Sequence, residues 1–324
     1  MFLIFFKDEP RMKNHTTVVE FIILGLSNNH HVNIILSVVL LDVFLLTVMG
    51  NIIIVTLYRV DHRLQTPMYF FLRNFAVLEI CFTSVITPRF LYSLLTERKS
   101  ISLPGCFLQL LLVFFLGASM FCHEAVMSFD RYMAICHPLR YGSIMNGRVC
   151  FQLVLSCCVM SFLIMVPPTF MVVLLPFCGP NVINHFYCDT AVLLQLSCVD
   201  TGHLEVMIFF SATVILLGTL TITIVSYVCI IFTIMRIPST TGRKKVFSTC
   251  SAHLLVVVIL YSSSIFRYLR PGQQGVQDFD KVVSLLYCVV APLFNPYIYA
   301  LRNEQMKEAL KDACGRISKC LRFS

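Results

Sequence analysis

Seven stretches of twenty or more mostly apolar residues, separated by short polar or charged punctuation, run near 33–58, 67–92, 103–136, 150–175, 204–235, 246–269 and 281–301. A bilayer core about 30 Å thick is crossed by roughly 20 apolar residues at about 1.5 Å rise each, so every stretch is long enough to span. Backbone N–H and C=O groups cannot stay unpaired in hydrocarbon, which leaves helices or a closed barrel. The stretches lack the period-2 alternation and roughly 10-residue units of barrel strands and therefore predict helices. Of the 324 residues, 57% are hydrophobic and 13% charged, too few polar groups to cover a water-soluble domain. The expected fold is an all-α membrane protein, a seven-transmembrane helix bundle (33–301) between an N-terminal segment (1–32) and a short tail (302–324).

Lys and Arg set the expected orientation, because inner loops carry the excess. About 16 of the 25 basic residues fall on the side holding Arg59, Arg63, Arg140, Arg148, Arg243, Lys244, Lys245 and the tail, and about 9 on the other. The tail is then cytoplasmic and the N-terminus extracellular, where Asn14-His15-Thr16 is a glycosylation acceptor. Met1–Phe6 is too short an apolar stretch for a cleaved signal and is followed by Lys7, Asp8, Glu9 and Pro10, so no cleavage is expected; Met12 reads equally well as a start. Beyond the seventh span, 302–311 reads as an amphipathic helix on the inner leaflet, with Met306, Leu310 and Ile317 on its apolar stripe and Cys314 and Cys320 open to acylation.

Nine of the 15 cysteines, among them Cys122, Cys250 and Cys288, lie in or at the edges of spans, where a thiol is a small hydrophobe. Cys106, Cys178, Cys188 and Cys198 lie on the outer side, an oxidising compartment. Four cysteines allow three pairings, among which sequence does not choose. Cys106–Cys188 would fold the middle of the 176–203 loop over the bundle mouth, and Cys178–Cys198 would close its arms into a lid. The competing metal reading, His185 with Cys188 and Asp189, requires a free thiolate.

Several motifs stand at matching membrane depths. Met127–Tyr141 reads MSFDRYMAICHPLRY; Thr66–Leu72 reads TPMYFFL; Ser226-Tyr227 lies in the fifth span, Lys245–Cys250 (KVFSTC) opens the sixth, and Pro292–Tyr299 (PLFNPYIY) lies in the seventh. Together they resemble the odorant receptors of the rhodopsin-like G-protein-coupled class, and the likeness covers all seven spans. The resemblance implies a receptor for a small-molecule odorant in the plasma membrane of olfactory cilia, coupled to a heterotrimeric G protein of the stimulatory, cAMP-raising type. No enzyme activity, cofactor, metal or nucleic-acid partner is expected; membrane lipid is.

The resemblance places the coupling switch at Asp130, Arg131, Tyr132, Tyr227, Asn295, Pro296 and Tyr299. An ionised pair at the membrane boundary is tolerated when each charge neutralises the other or reaches water, so Asp130 is expected to hold Arg131 until the sixth helix swings out and Arg131 meets Tyr227. Asn295-Pro296 puts a helix break in the seventh span and frees a carbonyl, with Asn51 and Glu79 as polar partners. The chain departs from the family pattern twice: Glu79 stands where an aspartate is usual, and Met120 where a glutamate is. Glu124 lies one turn deeper than Met120, and Glu79 and Glu124 are expected to share a proton or a sodium ion. Asp42, in mid-span, has no evident partner.

Matching positions to the family gives a ligand set of Val113, Phe114, Gly117 and Ala118 from the third span, Ser211 and Ile215 from the fifth, Tyr261, Ser264, Ile265 and Tyr268 from the sixth, and Leu285 and Cys288 from the seventh. The set carries no acid for an amine; it suits a small, mostly apolar molecule held by burial and one or two hydrogen bonds. About 10 heavy atoms at roughly 0.5 kcal/mol each give about 5 kcal/mol, an affinity near 0.1 mM. A transporter would show repeated halves and more mid-membrane charge, and an enzyme would need a convergent catalytic set. A non-olfactory receptor for a lipid or peptide is the nearer alternative.

Overall fold

The structure is a computed structural model that describes residues 18–27, 29–96, 99–178, 180–268 and 277–323; Asn14 and Met1–Arg11 lie outside them. Its spans are α1 (His30–Val60), α2 (Pro67–Leu95), α3 (Leu103–Cys136), α5 (Gly147–Val173), α7 (Gly202–Met235), α8 (Thr240–Tyr268) and a seventh made of α9 (Gln277–Leu285), a π turn (Leu286–Val290) and α10 (Ala291–Arg302). Among the described residues six helices are long and apolar enough to cross a bilayer, and α8 is apolar over His253–Ile265. Shorter helices are α4 (Pro138–Ile144) between α3 and α5, α6 (Thr190–Gln195) in the long loop, and α11 (Glu304–Phe323) in the tail. An odd number of crossings puts the N-terminal segment and the tail at opposite ends of the bundle, here termed the cap end and the tail end.

Helix starts follow local chemistry. Asn29 caps α1 by accepting from His31 N and Val32 N, Asn146 caps α5 through Val149 N, and α2 opens with Pro67 at its first position. The buried stripe of α1, with Leu40, Thr47, Asn51 and Ile54, turns inward while Val38, Val39, Leu45, Leu46 and Met49 stay exposed, as expected of a face that meets lipid. Asp42 lies on that exposed side and has no partner among the described residues. The seventh span departs from expectation: α10 runs on through Pro296, and the irregularity sits earlier, in the π turn. Pro292 has no N–H to give to the carbonyl four residues back, so the ladder is already interrupted where the extra residue is taken up. Gly50 is where α1 meets this span, since a Cβ there would stand 3.0 Å from Pro296 Cγ.

The cap end carries a small sheet in the order β2-β1-β3, with β1 (Glu20–Ile23) antiparallel to β2 (Ser100–Ser102) and parallel to β3 (Val182–Ile183). Phe21 and Ile23 are buried, and Phe177 meets Phe21 edge-on at 5.4 Å. Gly25, at φ +77°, turns the chain out of β1 in the left-handed region open to glycine. Two disulfides, Cys106–Cys188 and Cys178–Cys198, staple the long loop. Gln109 ties three elements, giving its amide to Val85 O (3.0 Å) and accepting Cys188 N (3.0 Å). With Cys188 bridged, the metal reading of His185, Cys188 and Asp189 loses its thiolate.

At the tail end Tyr69 donates to Asn303 Oδ1 (2.7 Å), and Asn303 in turn accepts from Gln305 N and Met306 N at the start of α11. Met306 is buried and Leu310 half-buried, so the predicted apolar stripe faces the bundle; the side chains of Ile317 and Cys320 lie outside the described set. Arg63 reaches Asp312 at 2.6 Å. The Lys307 ammonium beside Glu304 holds that carboxyl below its ordinary value.

Candidate functional site

Small and aromatic residues recurring at three- and four-residue spacing give α3 an inward face at the cap end. Val113, Phe114, Gly117, Ala118 and Phe121 there line a cavity with Met165 of α5, Ala212, Ile215 and Leu216 of α7, Ser264 of α8, Tyr287 of the π turn and Tyr187 of the long loop. The atom-free space is about 590 Å³, its mouth included. Among the described residues the wall holds no carboxylate, imidazole or amine, only the hydroxyls of Ser264, Tyr187 and Tyr287. Tyr187 is fixed by its own contacts, with its hydroxyl directed at Asp189 Oδ2 (3.3 Å) and its neighbour Cys188 bridged to α3.

Of the residues expected to touch a ligand, Val113, Phe114, Gly117, Ala118, Ile215 and Ser264 are in the wall. Ser211, Tyr261, Ile265, Leu285 and Cys288 are not among the described residues that line this cavity. From the seventh span it is Tyr287, inside the π turn, that faces the cavity. Ala212 takes the place of Ser211. Tyr261 lies beneath the floor, its ring 5.2 Å from that of Phe121, and Ile265 packs behind it. The side chains of Tyr268 and Tyr299 lie outside the described set. Phe121, Met165, Tyr187, Ala212, Leu216 and Tyr287 line the cavity without having been singled out, because helical periodicity gives a face but not the rotation of one helix against another.

In the core, Asn295 donates to Glu79 Oε1, and Asn51, whose amide gives to Thr47 O (3.1 Å), also faces Glu79. Pro296 packs beside them against α1. Glu124 lies near enough to interact electrostatically with Glu79, while its direct contact is elsewhere. Its Oε2 lies 2.9 Å from His253 Nε2 of α8, with both side chains fully buried.

At the tail end Asp130 accepts from Tyr141 of α4 at 2.9 Å and makes no direct ion pair with Arg131 among the described residues. Neighbours on a helix point about 100° apart, and α4 supplies a donor on the side Asp130 faces. Arg131 is half-buried, Tyr132 Oη meets His137 Nε2 (2.9 Å), and Tyr227 Oη lies 2.5 Å from His253 Nδ1 and 3.4 Å from Cys250 O. Leu139, in α4, is 99% exposed. Neither Leu139 nor His253 was singled out in the sequence, although an ionisable residue inside an apolar span is a functional signal.

The geometry joins an apolar cup to a polar floor through one bundle, and comparison with known proteins bears on it directly. The family model for the olfactory receptor matches residues 40–316. The chain belongs to the olfactory receptor family. Olfactory receptor 6E1 of Mus musculus is 50% identical over 314 residues, covering 97% of this chain and 99% of that one. Olfactory receptor 6C75 of Homo sapiens is 51% identical over 300 residues, covering 93% and 96%. In fold alone, the olfactory receptor resembles the crystal structure of squid rhodopsin, with a TM-score of 0.68 at 15% identity over 90% of this chain and 88% of that one. It is thus an odorant-type G-protein-coupled receptor and a multi-pass membrane protein.

Proposed function

We propose that this receptor takes a small, uncharged, mostly apolar volatile molecule into the cavity at the cap end and activates a stimulatory, cAMP-raising G protein at the tail end. The cavity wall carries the reading. The twelve lining residues present apolar surface and three hydroxyls, so binding rests on burial at about 25 cal/mol per Å² and on one or two hydrogen bonds. An ammonium or carboxylate would enter unpaired and lose its hydration without return.

The cap end is assigned to the outside and the tail end to the cytoplasm of the plasma membrane, in accord with the basic residues near the tail. Residues 1–32, 33–301 and 302–324 then form the outer segment, the receptor bundle and the inner tail. Arg131 and Leu139 are the contacts offered to the G protein, with Arg243 and its basic neighbours adding attraction to protein and to anionic lipid. A ligand acts through the difference between its affinities for the closed and open bundle. The test is a cAMP reporter in cells expressing the chain, challenged with a panel of neutral, acidic and amine odorants. Neutral molecules are expected to respond and Arg131→Ala to be silent at equal surface level. A response confined to amines or acids, or one that survives Arg131→Ala, would refute the reading.

A further inference from the structure

We propose that Glu124 and His253 form a buried carboxyl–imidazole pair that holds the tail end of the bundle shut and thereby sets the resting activity of this receptor, a role that rests on the G-protein reading above. The two side chains are fully buried, and Glu124 Oε2 stands 2.9 Å from His253 Nε2. Among the described residues neither carboxyl oxygen of Glu124, nor His253 Nε2, makes a hydrogen bond of good geometry, so this close approach is the contact each has there. The second ring nitrogen of His253, Nδ1, lies 2.5 Å from Tyr227 Oη, and the two rings stack with centroids 5.8 Å apart. Carboxyl, imidazole and phenol thus join α3, α8 and α7 at one level, about 9 Å along α3 from Asp130.

Such a chain has two states with different energies. While α8 lies against α3, the carboxyl and the imidazole face each other. If α8 swings outward, two polar groups are parted in a low-dielectric interior, which is far costlier than leaving either in water. The pair therefore favours the closed bundle, and Tyr227, clasped by His253, is withheld from Arg131. Among the described residues Asp130, engaged by Tyr141, makes no direct ion pair with Arg131, which leaves contacts deeper in the bundle to hold it closed.

The position also links the pair to the ligand. Glu124 lies one turn beyond Phe121, which walls the cavity, and His253 lies a little over two turns from Tyr261. Phe121 and Tyr261 meet edge to face at 5.2 Å. A molecule that pushes Phe121 against Tyr261 bears on the same two helices that the pair clamps together.

The test is resting cAMP in cells expressing the full chain at matched surface levels. Glu124→Gln and His253→Gln are each expected to raise it roughly three- to tenfold. The double variant should rise no further than the larger single one, because there is one interaction to lose. Exchanging the residues, Glu124→His with His253→Glu, should return the resting signal to that of the parent. Alongside it, the distance between fluorophores at Arg140 and Lys244 in purified receptor, with no G protein present, reads the opening of the tail end itself.

Wider label spacing without a rise in cAMP would uphold the pair and count only against the coupling reading. Unchanged spacing and unchanged resting signal in both single variants would overturn the proposal. Should neither single variant reach the surface, the exchanged variant decides: surface delivery with parental spacing upholds the pair, and absence from the surface overturns it.

Discussion

Replacing Gly117 by alanine adds one methyl to the cavity wall, and the structure says what it meets. A Cβ there would stand 2.9 Å from Tyr287 Oη and 3.7 Å from Phe82 Cε2. Ordinary contact is about 3.5 Å, so the phenol must retreat by roughly 0.6 Å. Its ring stacks on Phe121 at 6.3 Å and meets Phe82 edge-on at 5.5 Å, which leaves the open cavity as the way to move. Overpacking of this kind costs about 1–3 kcal/mol, while alanine contributes about 0.5–1 kcal/mol to the helix relative to glycine. The empty receptor is therefore expected to keep its melting temperature within a few degrees. A ligand that fills the cavity bears the displaced ring and should lose about tenfold in potency, since about 1.4 kcal/mol is a factor of ten. Concentration–response curves for a homologous series of neutral odorants, read by cAMP at matched surface levels, would check this, with the loss growing with ligand size. Equal potency across the series would refute the placement of Gly117 in the binding wall.

Asp42 lies three residues from the midpoint of α1 on its lipid-exposed face, where a lone carboxyl costs about 2.5–3.5 kcal/mol; Asp42→Leu should raise the melting temperature in lipid nanodiscs, and an unchanged value would mean the carboxyl finds water or a partner. Leu139→Ser removes a side chain that is 99% exposed, so surface level should hold within the small effects of surface substitutions while odorant-driven cAMP falls; a normal response would remove Leu139 from the coupling face. The Cys178–Cys198 bridge spans 20 residues, a loop whose closure stabilises by about 3 kcal/mol in the chain-entropy account. Replacing both cysteines by serine should lower surface delivery and weaken ligand response together, and normal melting with normal potency would show the bridge to be dispensable.

The spans were readable because a helix in lipid must be apolar for its whole length. The expected 103–136 is α3 itself, and the expected 67–92 falls three residues short of Leu95. The cap sheet was not readable, since β1 pairs with segments about 80 and 160 residues away and its four residues carry no pattern that names them. α4 was hidden in a motif recognised for other reasons, and with it Tyr141 as the partner of Asp130. The π turn was not readable either, because one extra residue in a turn leaves no mark in an apolar run, and Tyr287 inside it faces the cavity. Glu124 was visible as an acid out of place, but its partner was not. Which side chain it meets depends on how α3 and α8, well over a hundred residues apart, rotate against each other.

Loops usually drift freely in sequence because little is built upon them. Here Tyr187 reaches the ligand wall from a loop, and the adjacent bridge to α3 makes it as fixed as a residue on a helix. Tuning can therefore change without any alteration of the seven helices: grafting the segment around Tyr187 from one receptor to another would carry part of the donor's preference with it.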